Sequence, residues 1–302
     1  MRNQQNASSL DKNKQSASTF HRNKRRVPLS MSMRYILLCA GLLIMVIPMV
    51  YMVSSSLKPN AIAFSYPIRL IPSADEVTLS NYDYVLHQKN FFTYVGNTLI
   101  VATATTVFSA TLSSMLAYCI SRFRFPGRNL LYSIIITTML IPGLAMLVPQ
   151  FELAVSFKLV NNLWGVILFY TAWVTPFSTF LIKGFIDNIP RELDEAIYMD
   201  GGTVFTIYRR VMLRMASPSI AAVSVFNFLF AFEEVGWSQT ILKKDELRTL
   251  PVAITQFFQA HNRTDWGYVF AMTCLAMIPV ILIYVLLQRY FISGLSSGAV
   301  KG

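Results

Sequence analysis

Apolar residues in this chain come in long runs separated by polar stretches. Six runs stand out, over 35–56, 94–120, 129–149, 163–183, 216–239 and 267–288. A helix needs about 20 apolar residues to cross a hydrocarbon core of roughly 30 Å, and each run meets that length. They predict an all-α integral membrane protein with six transmembrane helices. The first 34 residues are polar and rich in Ser, Asn, Gln and Lys. They are expected to form a basic, disordered cytoplasmic tail, 1–34, ahead of a membrane domain over 35–302. No cleavable signal peptide is expected, because the first apolar run is long and lacks a small-residue cleavage site.

Composition supports the bilayer. The chain is 54% hydrophobic and 14% charged, where soluble domains carry roughly 25% charge. Its net charge of +11 raises nucleic acid as a partner, but the location of the charge argues against one. Arg22, Lys24, Arg25, Arg26 and Arg34 cluster just before the first run, and basic residues in short segments stay on the cytoplasmic side. Six spans then put both termini in the cytoplasm, with most Lys and Arg on inside segments and the tail against anionic lipid. Cys39, Cys119 and Cys274 fall in separate apolar runs and read as buried thiols. His21, His87 and His261 lie in three separate polar stretches without HExxH spacing, so neither a metal site nor a catalytic site is expected.

The first outside loop, 57–93, is the longest. It ends in the aromatic-rich NYDYVLHQKNFFTY, which suits an interfacial helix over 81–92. The second span is dense in small and hydroxyl residues: Thr98, Thr103, Thr105, Thr106, Ser109, Thr111, Ser113 and Ser114. Such residues let helix backbones approach closely, so this helix is expected inside a bundle. It ends in SRFRFPGR, 121–128, a tight basic turn. Pro48, Pro142, Pro149, Pro176, Pro218 and Pro279 lie in or at the ends of spans, where proline tends to kink a helix.

ELDEAIYMDGG, 192–202, is the most informative loop, between the fourth and fifth runs. Pro190 suits a helix start, and Glu192, Asp194 and Glu195 suit the positive end of the helix dipole. Arg191 and Glu195 are spaced to pair. Gly201 and Gly202 suit a left-handed stop, and Thr203 a cap on a second helix. There Val204, Ile207, Tyr208, Val211 and Met215 form an apolar stripe. A helix that only rests on lipid headgroups is one reading. The other is docking of a soluble cytoplasmic partner, since an anionic leaflet would repel three carboxylates.

EAIYMDGG, 195–202, resembles the EAA loop of ABC-importer permeases, a pattern of Glu-Ala-Ala, a later Gly, and then Ile-x-Leu-Pro. Glu195, Ala196, Gly201 and Leu213 match, and Val211 stands for the Ile. Ile197 replaces the second Ala and Arg214 the Pro. SSLKPN at 55–60, NTLIVA at 97–102, LAYCISRFRFPGR at 116–128, LRTLPVAITQF at 247–257 and QRYFISGLSSGAVKG at 288–302 are similar to the carbohydrate-uptake branch, typified by the inner maltose-transporter subunit. The resemblance implies an importer in the bacterial cytoplasmic membrane. Two permease chains form the pore, two cytoplasmic ATPases bind ATP and Mg, and an extracytoplasmic solute-binding protein delivers a sugar or related solute. It implies ATPase coupling through Glu195, Ala196 and Gly201, flanked by Asp194 and Asp200, and a non-catalytic role for this chain. No GxxxxGK[ST] occurs here to cradle a nucleotide.

Glu233 and Glu234 are the strongest anomaly inside a span, because intramembrane carboxylates are costly. With Asn227 and Trp237 they are the candidates for a solute path: Asn227 to hydrogen-bond a sugar, Trp237 to stack on one or anchor at the interface. A secondary transporter with Glu233 or Glu234 as proton relay is the rival reading. A membrane-embedded enzyme using the same carboxylates is weaker, since no nucleophile–base pair or ligand spacing accompanies them.

Overall fold

The computed structural model describes residues 29–64, 66, 69–87, 90–257 and 265–299, with backbone alone for 29, 30, 32 and 286–299. The basic cluster at 22–26, His21 and His261 lie outside the described residues. The chain divides into two compact units, 1–50 and 51–302. Helix α1 (Leu29–Ser56) starts ahead of the predicted residue 35, so 29–34 are helical. In the first unit its apolar side chains, such as Leu37, Ile44 and Met45, are exposed.

Every regular element among the described residues is helical. After α1 come α2 (Ser80–Leu86) and α3 (Phe91–Arg122). Next are α4 (Arg128–Leu140), α5 (Gly143–Ser156), α6 (Leu163–Ile186) and α7 (Glu192–Met199). The chain continues with α8 (Val204–Met215), α9 (Ser217–Glu233), α10 (Gly236–Ile241), α11 (Leu250–Phe257) and α12 (Trp266–Ala299). Among the described residues, only α1, α3, α6 and α12 are unbroken helices long and apolar enough to cross a membrane. The predicted runs 129–149 and 216–239 are each broken, as the prolines within them suggested. The pair α4–α5 is bent by 99° and the pair α8–α9 by 73°; the number of spans reaches six only if each bent pair is one span.

Both breaks have local causes. Ile141 precedes Pro142 and is extended, with φ −80° and ψ 120°, because the pyrrolidine ring disfavours α geometry at the residue before it. Pro218 sits in the first turn of α9, where a missing N–H costs nothing. Pro48, Pro176 and Pro279 lie inside helices that remain continuous.

Within the second unit, α3 packs against α6 and α9, and α9 against α12. The hydroxyl residues of α3 explain the close approach. Thr98, Thr105, Ser109, Ser113 and Ser114 are buried, while Thr103 and Thr111 are exposed beside Ile100, Val107 and Leu112. The expectation that this helix is enclosed therefore holds for one face and fails for the other. Ser113 Oγ donates to the Thr175 carbonyl across α3 and α6 (3.3 Å). At one end of the bundle Val101, Tyr170, Phe228 and Trp237 form a core; at the other Ala117, Ile182, Ile186, Ile207 and Met212 form a second.

The interfacial helix expected over 81–92 is shorter. Helix α2 ends at Leu86, and Phe91 already begins α3. Asn81 ties α2 back by donating to the carbonyls of Ser56 (2.8 Å) and Lys58 (2.6 Å). Cys39 and Cys119 are exposed and Cys274 is half-buried, so the reading of buried thiols is also corrected.

Candidate functional site

The loop between α6 and α9 folds as its local chemistry dictates. Glu192, Asp194 and Glu195 occupy the first turn of α7. The helix then ends in a Schellman motif: Gly202 N–H donates to the Ile197 carbonyl (2.8 Å) and Gly201 N–H to the Tyr198 carbonyl (3.0 Å). Gly201 is left-handed, with φ +76°. A Cβ on Gly202 would lie 2.4 Å from Ile197 Cγ2 and 2.8 Å from its carbonyl oxygen. Both glycines are therefore required by the turn. Thr203 caps α8, its Oγ1 accepting from Thr206 N–H (3.3 Å).

One face of this hairpin is open. Glu192, Glu195, Ala196, Asp200 and Gly201 are exposed. Between them stand Met199, Phe205 and Tyr198, which are 87%, 64% and 50% exposed. Large apolar side chains exposed close in sequence to several carboxylates are the kind of surface that receives a partner.

The other face is fastened to α3. Asp194 turns inward, its Oδ2 3.0 Å from Arg122 Nε, and the two side chains are 14% and 6% exposed. Arg122 Nη2 also donates to the Ile189 carbonyl (2.9 Å). Burial pushes the Asp194 carboxyl above the ordinary carboxylate range, outweighing the pull of Arg122 and Arg191. The expected Arg191–Glu195 pair does not form. Arg191 Nη2 donates instead to the Ser121 carbonyl (3.3 Å), satisfying the frayed end of α3. Pro190 precedes the helix rather than opening it, since Arg191 holds the cap position. Further along, Tyr118 Oη donates to the Val204 carbonyl (3.2 Å), and the Ser114 and Tyr208 hydroxyls lie 2.8 Å apart.

Helix α8 differs from its predicted stripe. Residues Tyr208–Met212 form a π-helical turn. The wider turn shifts the facing register, so Met212 is buried alongside Ile207 and Ala216, while Val204 and Met215 are exposed.

The four solute-path candidates separate. Glu233 is exposed. Glu234 follows the end of α9 with extended geometry and caps α10: its Oε1 accepts from Trp237 N–H (2.8 Å) and its Oε2 from Ser238 N–H (3.3 Å) and from Tyr170 Oη. Trp237 is 1% exposed and its Nε1 donates to the Gly165 carbonyl (3.1 Å), which removes it from the interface. Asn227 is buried and bridges three helices, its Nδ2 donating to Ser109 Oγ (2.8 Å) and Ser178 Oγ (3.0 Å). Of the four, Glu233 alone presents its side chain at the surface of this conformation.

Arg122, Tyr118 and Tyr170 carry these arrangements, and none was a candidate from sequence. Arg122 reads as one more basic residue in a basic turn. Among the described residues no group of three or more His, Cys, Asp or Glu is gathered to hold a metal.

Comparison with known proteins places the fold and the loop in context. Residues 109–297 match the model of the family described as binding-protein-dependent transport system inner membrane component. The chain is 33% identical to a putative ABC transporter permease protein, ORF2, of Caldicellulosiruptor sp. (strain Rt8B.4), over 89% of this chain and 96% of that one. It is 30% identical to the diacetylchitobiose uptake system permease protein DasC of Streptomyces coelicolor, covering 85% and 92%. Its fold is similar to a chain of a bacterial ABC transporter involved in import of the acidic polysaccharide alginate, with TM-score 0.76 and 24% identity over 86% and 95%. The matched region includes the hairpin α7–α8, its anchor on α3 and the helices α6, α9 and α12; this chain belongs to the binding-protein-dependent transport system inner membrane component family.

Proposed function

We propose that the chain is one of two permease subunits of an ABC importer that carries an oligosaccharide or related carbohydrate across the bacterial cytoplasmic membrane. Each bent pair counts as one span, giving six spans with both termini in the cytoplasm. The hairpin α7–α8 then faces the cytoplasm, and α7 is the coupling helix for two ATPase subunits that hold ATP and Mg. A solute-binding protein delivers the carbohydrate from outside. The carbohydrate class rests on relatives named for oligosaccharide transport, such as the arabinooligosaccharides permease AraQ of Halalkalibacterium halodurans, 28% identical over 86% of this chain.

The observation that carries this reading is the exposure of Tyr198, Met199 and Phe205 on the same hairpin as the exposed carboxylates Glu192, Glu195 and Asp200. ATPase closure biases the inward-facing and outward-facing states only through contacts that differ between them. A rigid hairpin fastened to a spanning helix supplies such a contact. Glu195 and Asp200 sit on the open face, and Ala196 leaves room for close approach. Proton relay by Glu234 is disfavoured, because both its oxygens are committed to capping α10.

Co-expression with the ATPase and permease genes of its own cluster tests the proposal. The expected result is a detergent-stable complex of two permeases and two ATPases, lost when Tyr198, Met199 and Phe205 are changed together to Ser. A wild-type chain that purifies without ATPase would overturn it.

A further inference from the structure

Asp194 lies one residue before Glu195, yet the two carboxylates point to different places. Glu195 is exposed on the open face. Asp194 is turned onto Arg122, the last residue of the long spanning helix α3, at 3.0 Å with both side chains nearly dry. The same guanidinium holds the Ile189 carbonyl just ahead of α7, and Arg191 returns a bond to the Ser121 carbonyl. The start of α7 is thus locked to one turn of α3 from two directions. Tyr118 and Ser114 continue the attachment along α3 to Val204 and Tyr208. The direct covalent route from α7 into the bundle is weaker: it runs through the π turn of α8 and then the 73° bend at Ala216.

One oxygen of the pair is left over: Asp194 Oδ1 is buried without a hydrogen bond, while Oδ2 faces Arg122 Nε at 3.0 Å. A buried carboxylate oxygen without a hydrogen bond calls for an explanation in the chemistry around it.

We infer that Arg122 and Asp194 form an internal clamp through which the docking helix moves α3, making Asp194 a positioning residue rather than part of the partner-facing surface. The clamp rests on the coupling role proposed for α7. A push on the open face of α7 reaches α3 through the Arg122 guanidinium, which holds both Asp194 and the Ile189 carbonyl, and through the bond from Arg191 to the Ser121 carbonyl. Helix α3 passes the motion on because its hydroxyl-lined face is packed against α6 and α9. Residues 208–216, where the chain is wound differently and then bent, absorb the difference between α7 and α9.

Cys119 provides the readout, since it is exposed on α3 one turn before Arg122. In a Cys39→Ala, Cys274→Ala background, an environment-sensitive fluorophore on Cys119 reports on α3 in the whole complex. Wild type is expected to shift its emission on adding Mg-ATP with vanadate. Asp194→Asn keeps side-chain size and removes the charge; the ATPases are expected to co-purify while the shift is lost. The paired exchange Arg122→Asp with Asp194→Arg is expected to restore it. The inference is overturned if the Asp194→Asn shift equals wild type, or if wild type shows no shift. It is also overturned if Asp194→Asn releases the ATPases, or if the exchange fails to restore the signal. A wild-type chain that never holds ATPase would instead defeat the coupling role itself, so the two failures are distinguishable.

Discussion

Changing Gly201 tests the docking hairpin at the point where backbone geometry alone holds it. Gly201 sits at φ +76° at the C′ position of α7. A Cβ there meets no neighbour within 4 Å, so the cost of a side chain is conformational and not steric. An L-residue in the left-handed region costs roughly 1–2 kcal/mol, and a β-branched one is a genuine outlier. Gly201→Val is therefore expected to destabilise the turn by about 2 kcal/mol. If the chain relaxes, both Schellman bonds to Ile197 and Tyr198 are lost, at about 1 kcal/mol each. The ratio of native to non-native hairpin then falls by about thirtyfold, at 1.4 kcal/mol per factor of ten. Binding that requires the native hairpin weakens with the native fraction, by up to that factor. Gly201→Asn is the control, because Asn visits the left-handed region more readily. Titrating purified ATPase against the permease pair in nanodiscs measures both. The expected order is wild type tightest, Asn intermediate and Val weakest, with normal membrane insertion in all three. Equal affinity for Val and wild type would refute the role given to this turn.

Other expectations follow from single contacts. Glu195→Lys reverses a charge on the open face and should lower solute-stimulated ATP hydrolysis in proteoliposomes; an unchanged rate would remove Glu195 from the coupling surface. Glu234→Ala removes the carboxylate that caps α10 and should cost about 1 kcal/mol, seen as a lower melting temperature in detergent; an unshifted transition would show that α10 does not depend on the cap. Asp245 is held below the ordinary carboxylate range: its burial raises it, but bonds from Tyr94 and Asn90 and the charge of Arg248 outweigh that. A carboxylate with a lowered folded pKa contributes stability above its unfolded pKa of about 3.9 and loses it as pH falls through the folded value. Hydrogen exchange at 245–250 should therefore accelerate below about pH 4, and Asp245→Asn should flatten that dependence; a wild-type profile without pH dependence would contradict it.

Much of the fold was legible because its signals are local. The length of four apolar runs reports helices long and apolar enough to cross a membrane, and the hairpin α7–α8 is written in carboxylates, two glycines and a capping threonine. Observed boundaries at Glu192, Met199 and Thr203 follow from those residues. What the sequence does not disclose depends on partners distant along the chain. Asp194 and Glu195 look equivalent in a first turn, and only the arrival of Arg122 from α3 separates them. Glu234 resembles an intramembrane functional carboxylate until Tyr170 and the N–H groups of α10 are placed around it. The π turn at Tyr208–Met212 leaves no mark in the apolar period, which is why the buried stripe shifted from Val211 to Met212. Pro142 and Pro218 stand at breaks while Pro48, Pro176 and Pro279 lie inside continuous helices, so a proline in an apolar run does not by itself mark a break.

The most direct measurement is solute accumulation in proteoliposomes holding the purified permease pair and its solute-binding protein, with fluorescently labelled oligosaccharides as the probe. With both ATPases and internal Mg-ATP, the expected result is accumulation against a gradient, abolished when ATP or the ATPases are omitted. Accumulation that persists without them, driven by an ion gradient alone, would contradict the assignment of this chain as an ATPase-driven permease.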